Sequence, residues 1–303
     1  MARRTTGGAA ATQRQRLGSK LRALRELAGL RNEDLAAELT LSPATISRIE
    51  SGDRLARLSE IDVWVRVTGA ATTARDELVS LAETAATQIS PWQSRLRAGV
   101  DQTQRETAEV EATAATILCY DHAVVPGLLQ VREYAQLVFE MADVGDNKDI
   151  TGKVEGRMHR QAVLLDQSKQ FTILITEAAL RWRPGSVMLQ TDQLRHIRAV
   201  TALPNIQIGI LPLRGQAKAI YPEGFQIYVD RSDDADALVV VELVTDEVTI
   251  SEPASVALYR REFDHLRASA AYDDIAHALI DRTVTDLEAE RSDRHGETEA
   301  PET

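Results

Sequence analysis

The sequence predicts a two-part, multi-domain chain: an all-α N-terminal helix-turn-helix domain followed by a C-terminal α+β domain with a small mixed sheet. Three observations predict it. Leucines and isoleucines recur at helical spacing between residues 17 and 49. From about residue 116, short β-rich runs alternate with helical stretches. Charge divides the chain in the same way: of a net −11, residues 1–58 hold 11 Lys/Arg against 6 Asp/Glu, a balance of +5, which leaves −16 for the remainder. A length of 303 residues and a hydrophobic content of 44% suffice for two folded cores.

In the first part, Leu17, Leu21, Leu24 and Leu27 form one apolar helix stripe. Leu35 and Leu39 continue it on a second helix, Ile46 and Ile49 on a third. Ala36 and Ala37 are small enough to let the second and third helices approach closely. Ser42 before Pro43 is a helix start, a hydroxyl N-cap with proline at the first helical position. Ser51-Gly52 closes that helix, because glycine accepts the left-handed C-terminal conformation. Two short helices joined by a tight turn over residues 30–50 are the layout that lays a helix in the DNA major groove. Pro43, Ala44, Thr45, Ser47 and Arg48 cannot face the Ile46/Ile49 core. Those near the helix start are placed to touch base edges, and Arg48 can reach guanine or phosphate. A basic head on an acidic body fits one DNA-binding domain joined to a domain that does not bind DNA.

Residues 17–52, down to the run SPATISRIESG, resemble the lambda-repressor-like, or Xre-type, helix-turn-helix. The resemblance implies that Pro43, Ala44, Thr45, Ser47 and Arg48 line the DNA-facing side and that Asn32 meets a phosphate. It also implies an internal ion pair between Arg25 and Glu50, read as structural before any DNA role. Two positions depart from the pattern. The turn residue, usually glycine, is the β-branched Thr40, at a site that needs a positive φ. The second-helix N-cap, usually Ser or Thr, is Arg31, which leaves Asn32 as the alternative cap, in competition with its phosphate contact.

Along the whole chain, residues 1–13 are small, polar and basic and read as a disordered tail. Residues 14–70 form the helix-turn-helix domain, closed by a helix over 59–68. Residues 71–115 read as a helical connector, with an amphipathic helix over 72–88 and an Ala-rich polar helix over 100–115. Residues 116–283 are the α+β domain, assigned to effector or partner binding and to dimerisation. TILCY, FTILIT, NIQIGILPL, GFQIYV and ALVVVELV are its β-rich runs, with helices over 153–166, 186–201 and 251–287. Residues 284–303 are acidic and poor in hydrophobic residues, and read as a disordered tail.

YDHAVVPGLLQVREYA, RMHRQAVLL, ITEAALRW, DQLRHI, PNIQIGILPL and GFQIYVD followed by VVVEL occur in this order. They resemble the C-terminal domain of unknown function of actinobacterial, WhiJ-like regulators over most of residues 60–283. VRE stands where that family usually has Thr-Pro-Glu after PGLLQ. The resemblance implies a transcriptional regulator controlled by a small partner protein encoded nearby, in an antitoxin-like or developmental circuit.

No enzyme signature is present: neither GxGxxG nor a Walker A loop occurs, and the six histidines form no HExxH or Cys/His cluster. No catalytic residue, metal site or cofactor is therefore expected. The single Cys119 lies in an apolar run and reads as a buried, inert thiol. No run approaches the ~20 apolar residues of a membrane span, and a cytoplasmic, nucleoid-associated protein is expected. One polar set in the second part is a candidate pocket or partner site: Arg157 and Gln161 at i, i+4, Glu177 at a strand end, Gln193 on the next helix and Glu242 inside VVVELV. Its competing reading is an internal network that ties the domain together. The function expected is that of a homodimeric, sequence-specific binder of a double-stranded DNA operator, modulated by a small partner protein or ligand. The alternatives are an antitoxin-like protein-binding module with autoregulatory DNA binding, and an enzyme with a DNA-binding head.

Overall fold

The computed structural model describes residues 8–91, 100–142, 149–214, 222–230, 237–244 and 246–298. The chain divides into two compact units, residues 1–98 with 235–257 and residues 99–234 with 258–303.

Among its described residues the first unit contains the helices α1 (Gly8–Leu27), α2 (Asn32–Leu39), α3 (Pro43–Ser51), α4 (Leu58–Thr68) and α5 (Thr72–Ala86). The predicted leucine stripe builds its core, with Leu17, Leu21, Leu35, Ile46 and Ile49 buried around Trp64. The Trp64 indole N–H donates to the Leu21 carbonyl (3.0 Å), so the ring is buried with its polar atom satisfied. Two boundaries differ from expectation. Residues 8–13, assigned to the basic tail, form the first turns of α1, where Ala9, Ala10 and Ala11 favour helix. Helix α5, assigned to the connector, buries Leu78 and Ala82 in the head core and belongs to it.

Helix α5 continues into β1 (Thr87–Pro91), which pairs antiparallel with β7 (Asp246–Ile250); β7 pairs in turn with β6 (Ala237–Glu242). This set of three strands joins residues from both halves of the sequence. Arg14 on α1 also reaches it, donating to the Ser251 hydroxyl (3.0 Å).

The second unit contains α6 (Val100–Thr113), β2 (Ala114–Asp121), α7 (Arg132–Met141), α8 (Ile150–Arg160), β3 (Gln170–Thr176), α9 (Glu177–Arg181), α10 (Val187–Val200), β4 (Ile206–Leu211) and β5 (Phe225–Asp230). Strands β2, β3 and β4 are parallel neighbours, which requires the helical crossovers α7–α8 and α9–α10 between them. Strand β5 pairs antiparallel with the other side of β2. Ile173, Leu174 and Ile175 on β3 and Ile208, Gly209, Ile210 and Leu211 on β4 are buried in succession, as expected for strands covered on both faces. With seven strands among the described residues, the β content exceeds the small sheet expected.

Two C-terminal helices follow, α11 (Pro253–Ser269) and α12 (Asp273–Thr298). Helix α12 runs through most of the segment expected to be a disordered tail. Ala276, Ile280, Thr283 and Leu287 bury one stripe of it, and its acidic residues find arginine partners, which a composition argument cannot see.

Candidate nucleic-acid interface

Helix α3 is fixed at both ends by the residues that predicted it. The Ser42 hydroxyl accepts from the Thr45 N–H (3.1 Å), and Gly52 closes the helix at φ 85°. Ile46 and Ile49 are buried, which turns Pro43, Ala44, Ser47 and Arg48 outward as exposed residues, with Thr45 half-buried beside Ser42. The turn before α3 carries Thr40 at φ 56°, ψ 40°. Its left-handed conformation lets the Leu41 N–H bond the Ala36 carbonyl (2.9 Å) and brings the chain round onto α3.

The N-terminus of α2 resolves the question of its cap. Asp34, at the third helical position, accepts from the Arg31 backbone N–H (2.9 Å) and from the Arg31 guanidinium. The guanidinium hydrogen bond holds the Asp34 carboxyl below its usual range. Arg31 therefore caps through its backbone, and Asn32 is left to donate to the Ser47 hydroxyl (3.0 Å). Asn32 and Ser47, from the two helices of the motif, thus stand together at one surface.

Two buried arginine–glutamate pairs frame α3. Arg25 donates twice to Glu50 (2.5 and 2.9 Å) and once to the Leu30 carbonyl (2.8 Å). The hydrogen bond to Glu50 raises the Arg25 pKa further. Sequence reasoning missed the second pair, in which Arg54 grips Glu60 with two bonds (2.8 and 2.9 Å). The Arg54 N–H also bonds the Arg48 carbonyl (2.9 Å), and Glu60 accepts from the Arg57 N–H. The available signal was Glu60 three residues after Arg57, the spacing of a helix-start contact. Gly18 was missed as well. A Cβ there would stand 2.5 Å from the Ile49 carbonyl oxygen and 2.6 Å from that of Glu50, so α1 and α3 touch backbone to backbone.

In the second unit, three of the five predicted polar residues converge, but on the protein's own backbone. Gln161 donates to the Gly127 and Gln130 carbonyls (3.1 and 2.7 Å). Gln193 accepts from the Val131 N–H (2.8 Å) and donates to the Leu129 carbonyl (2.6 Å). Arg157 donates to Gln130 (2.6 Å) and lies over the Phe139 ring, 4.0 Å from its centroid. Gln130, which the sequence did not single out, closes the set by donating to the Val125 carbonyl. Glu177 lies outside this set, accepting from Arg181 and from the Leu213 N–H (2.9 Å). Glu242 does not join it either: it is exposed, on β6 in the other unit. The reason is strand parity, since Val239 and Val241 point inward and the following residue points out.

Residues 104–282, more than half of the chain, match a domain of unknown function, DUF5753. The chain belongs to the DUF5753 family. Residues 16–78 match a helix-turn-helix domain. No curated protein matches. Among solved structures, the archaeal chromatin protein TrmBL2, whose structure shows a novel mode of DNA binding, aligns at 13% identity and a TM-score of 0.32. That alignment covers 67% of this chain and 62% of TrmBL2.

The DUF5753 match does not coincide with one structural unit. It includes β6 and β7, which pack in the unit that carries the helix-turn-helix. Among the described residues, no helix is long and apolar enough to cross a membrane, and no group of three or more His, Cys, Asp or Glu is placed to hold a metal ion.

Proposed function

We propose that this chain is a sequence-specific, double-stranded DNA-binding transcriptional regulator that acts as a homodimer on the nucleoid in the cytoplasm. Its DUF5753 domain receives a small partner protein encoded nearby, or a ligand, that modulates DNA binding. The observation that carries the reading is the outer face of α3. Pro43, Ala44, Ser47 and Arg48 are exposed there, while the charges behind them are consumed in internal pairs. Small residues near the helix start let a groove approach closely, and Arg48 can reach a guanine edge or a phosphate. Asn32, tied to Ser47, offers an amide to the adjoining phosphate. An enzymatic reading has less support, because three of the polar candidates of the DUF5753 domain, Arg157, Gln161 and Gln193, bond to its own loop.

Selection of bound duplexes from a random-sequence pool tests the proposal. An inverted repeat is expected, with half-sites about one helical turn apart and affinity that falls steeply with salt. Arg48→Ala is expected to cost about 1–3 kcal/mol and to relax the motif at one position. Failure of well-folded protein to enrich any motif would overturn the proposal.

A further inference from the structure

The segment from α9 through α10 carries three arginines that grip the acidic end of α12. Arg181 meets Asp286 (2.9 Å), Arg183 meets Glu290 (3.0 Å) and Arg195 meets Glu288 (2.9 Å). On a helix, residues 286 and 290 lie on one flank and residue 288 on the other. Leu287, between them, is the last buried side chain of α12 among the described residues. The acidic turn is thus held by one leucine and by ion pairs on both flanks. Arg181 is shared with Glu177, and Arg195 with Asp192. Such partly exposed pairs are individually weak and screened by salt.

The basic side of the contact is richer than an acidic tail requires. Trp182 and Met188, in the same segment, remain 40% and 62% exposed. Arginine, tryptophan and methionine together are the composition of a protein-binding surface. We propose that this surface docks an acidic amphipathic helix of a partner protein, and that residues 284–292 of the chain are its built-in competitor. Charge complementarity selects the occupant: the protein's own segment already seated there is helical, acidic on both flanks and apolar between them. The inference rests on the reading that the DUF5753 domain receives a partner protein.

The test uses a labelled peptide of residues 283–298, followed by fluorescence anisotropy. The full chain is expected to bind it on the order of tenfold or more weakly than a chain ending at residue 283. A full-length chain with Asp286→Lys, Glu288→Lys and Glu290→Lys frees the same surface without truncation and should behave like the shortened one. Adding Arg183→Glu and Arg195→Glu to the shortened chain should abolish binding, and high salt should weaken it. Equal binding by the full and freed chains, or binding indifferent to the arginine reversals, would overturn the proposal. So would a gain of random duplex DNA binding by the freed chain that the reversals remove, which would mark a nucleic-acid surface. Operator binding by the full chain, measured in parallel, separates the two levels. Operator binding without peptide binding removes only this surface; peptide binding without operator binding removes the regulator reading instead.

Discussion

The helix-turn-helix unit buries four charged side chains as two complete pairs, Arg25–Glu50 and Arg54–Glu60, and leaves the outer face of α3 uncommitted. The other unit turns its corresponding polar residues inward. Arg157 bonds to Gln130, and Gln130, Gln161 and Gln193 bond to the backbone between Val125 and Val131. Both arrangements satisfy buried polar atoms, but they leave different remainders. In the head the internal pairing is separate from the exposed set, so polar residues remain at the surface to meet a partner. In the body the residues that looked like a site are themselves the fastening of a loop.

The sharpest way to break this comparison is to remove one half of a buried pair. Glu60→Ala removes both carboxylate bonds of the Arg54 guanidinium in a site where both side chains are nearly inaccessible. It also takes away the acceptor of the Arg57 N–H. A loss of about 3–5 kcal/mol of stability is expected, read from urea unfolding followed by circular dichroism. An apolar replacement of both partners, Arg54→Met with Glu60→Leu, should recover most of it, because no charge is then left unpaired. If the single variant were as stable as the parent, the pair would not be holding the head together.

The next effect belongs to the body. Gln193→Leu keeps the side-chain bulk but leaves the Val131 N–H and the Leu129 carbonyl without their partner. Each buried unsatisfied group costs about 1–3 kcal/mol, and the body is expected to lose stability without any loss of operator affinity. A variant that unfolded at the parent's urea midpoint yet failed to respond to a partner would reverse the assignment and make Gln193 part of a binding site.

Gly18→Ala probes the head again. In an open helix this substitution would stabilise by roughly 0.5–1 kcal/mol. Here the added methyl meets the backbone carbonyls of Ile49 and Glu50, so α3 must shift, at a cost of about 1–3 kcal/mol. Weaker operator binding should accompany it. Stabilisation by the alanine would mean that α1 and α3 can separate without consequence.

These residues also mark how far the sequence could be read. The α2–α3 unit was legible because its signals are local: a leucine stripe, Ser42 before Pro43, Gly52 at the end. Arg54–Glu60 was not, since neither residue sits in a periodic pattern and the choice of partner depends on the turn after α3. Strands β1 and β7 went unread because TQISP and DEVTI are short and polar, and each becomes a strand only through a partner distant in sequence. Gly18 reads as a weak spot in a helix until α3 lies against it. Glu242 differs from expectation by one step of strand parity, and the end of α12 reads as a tail because a single leucine and ion pairs hold it. Of the candidate site, the α3 face was visible as a pattern, whereas the second unit's polar set needed the fold to show that it closes on itself.

The smallest expected effect sharpens the reading of the turn. Thr40 holds a left-handed conformation that a β-branched residue adopts at a cost of about 1–3 kcal/mol. Thr40→Gly removes that strain but adds about 0.5–1 kcal/mol of backbone entropy to be lost on folding. The net expectation is stabilisation by about 1 kcal/mol, the difference between the midpoints of these two ranges, seen as a higher urea midpoint with an unchanged m-value. Operator affinity should hold, because the Thr40 side chain makes no hydrogen bond in the α2–α3 turn and glycine preserves the Leu41 to Ala36 bond that sets the angle of α3. A drop in affinity with the gain in stability would show that strain at this turn tunes how α3 meets DNA, and would move Thr40 from the scaffold of the head into its working surface.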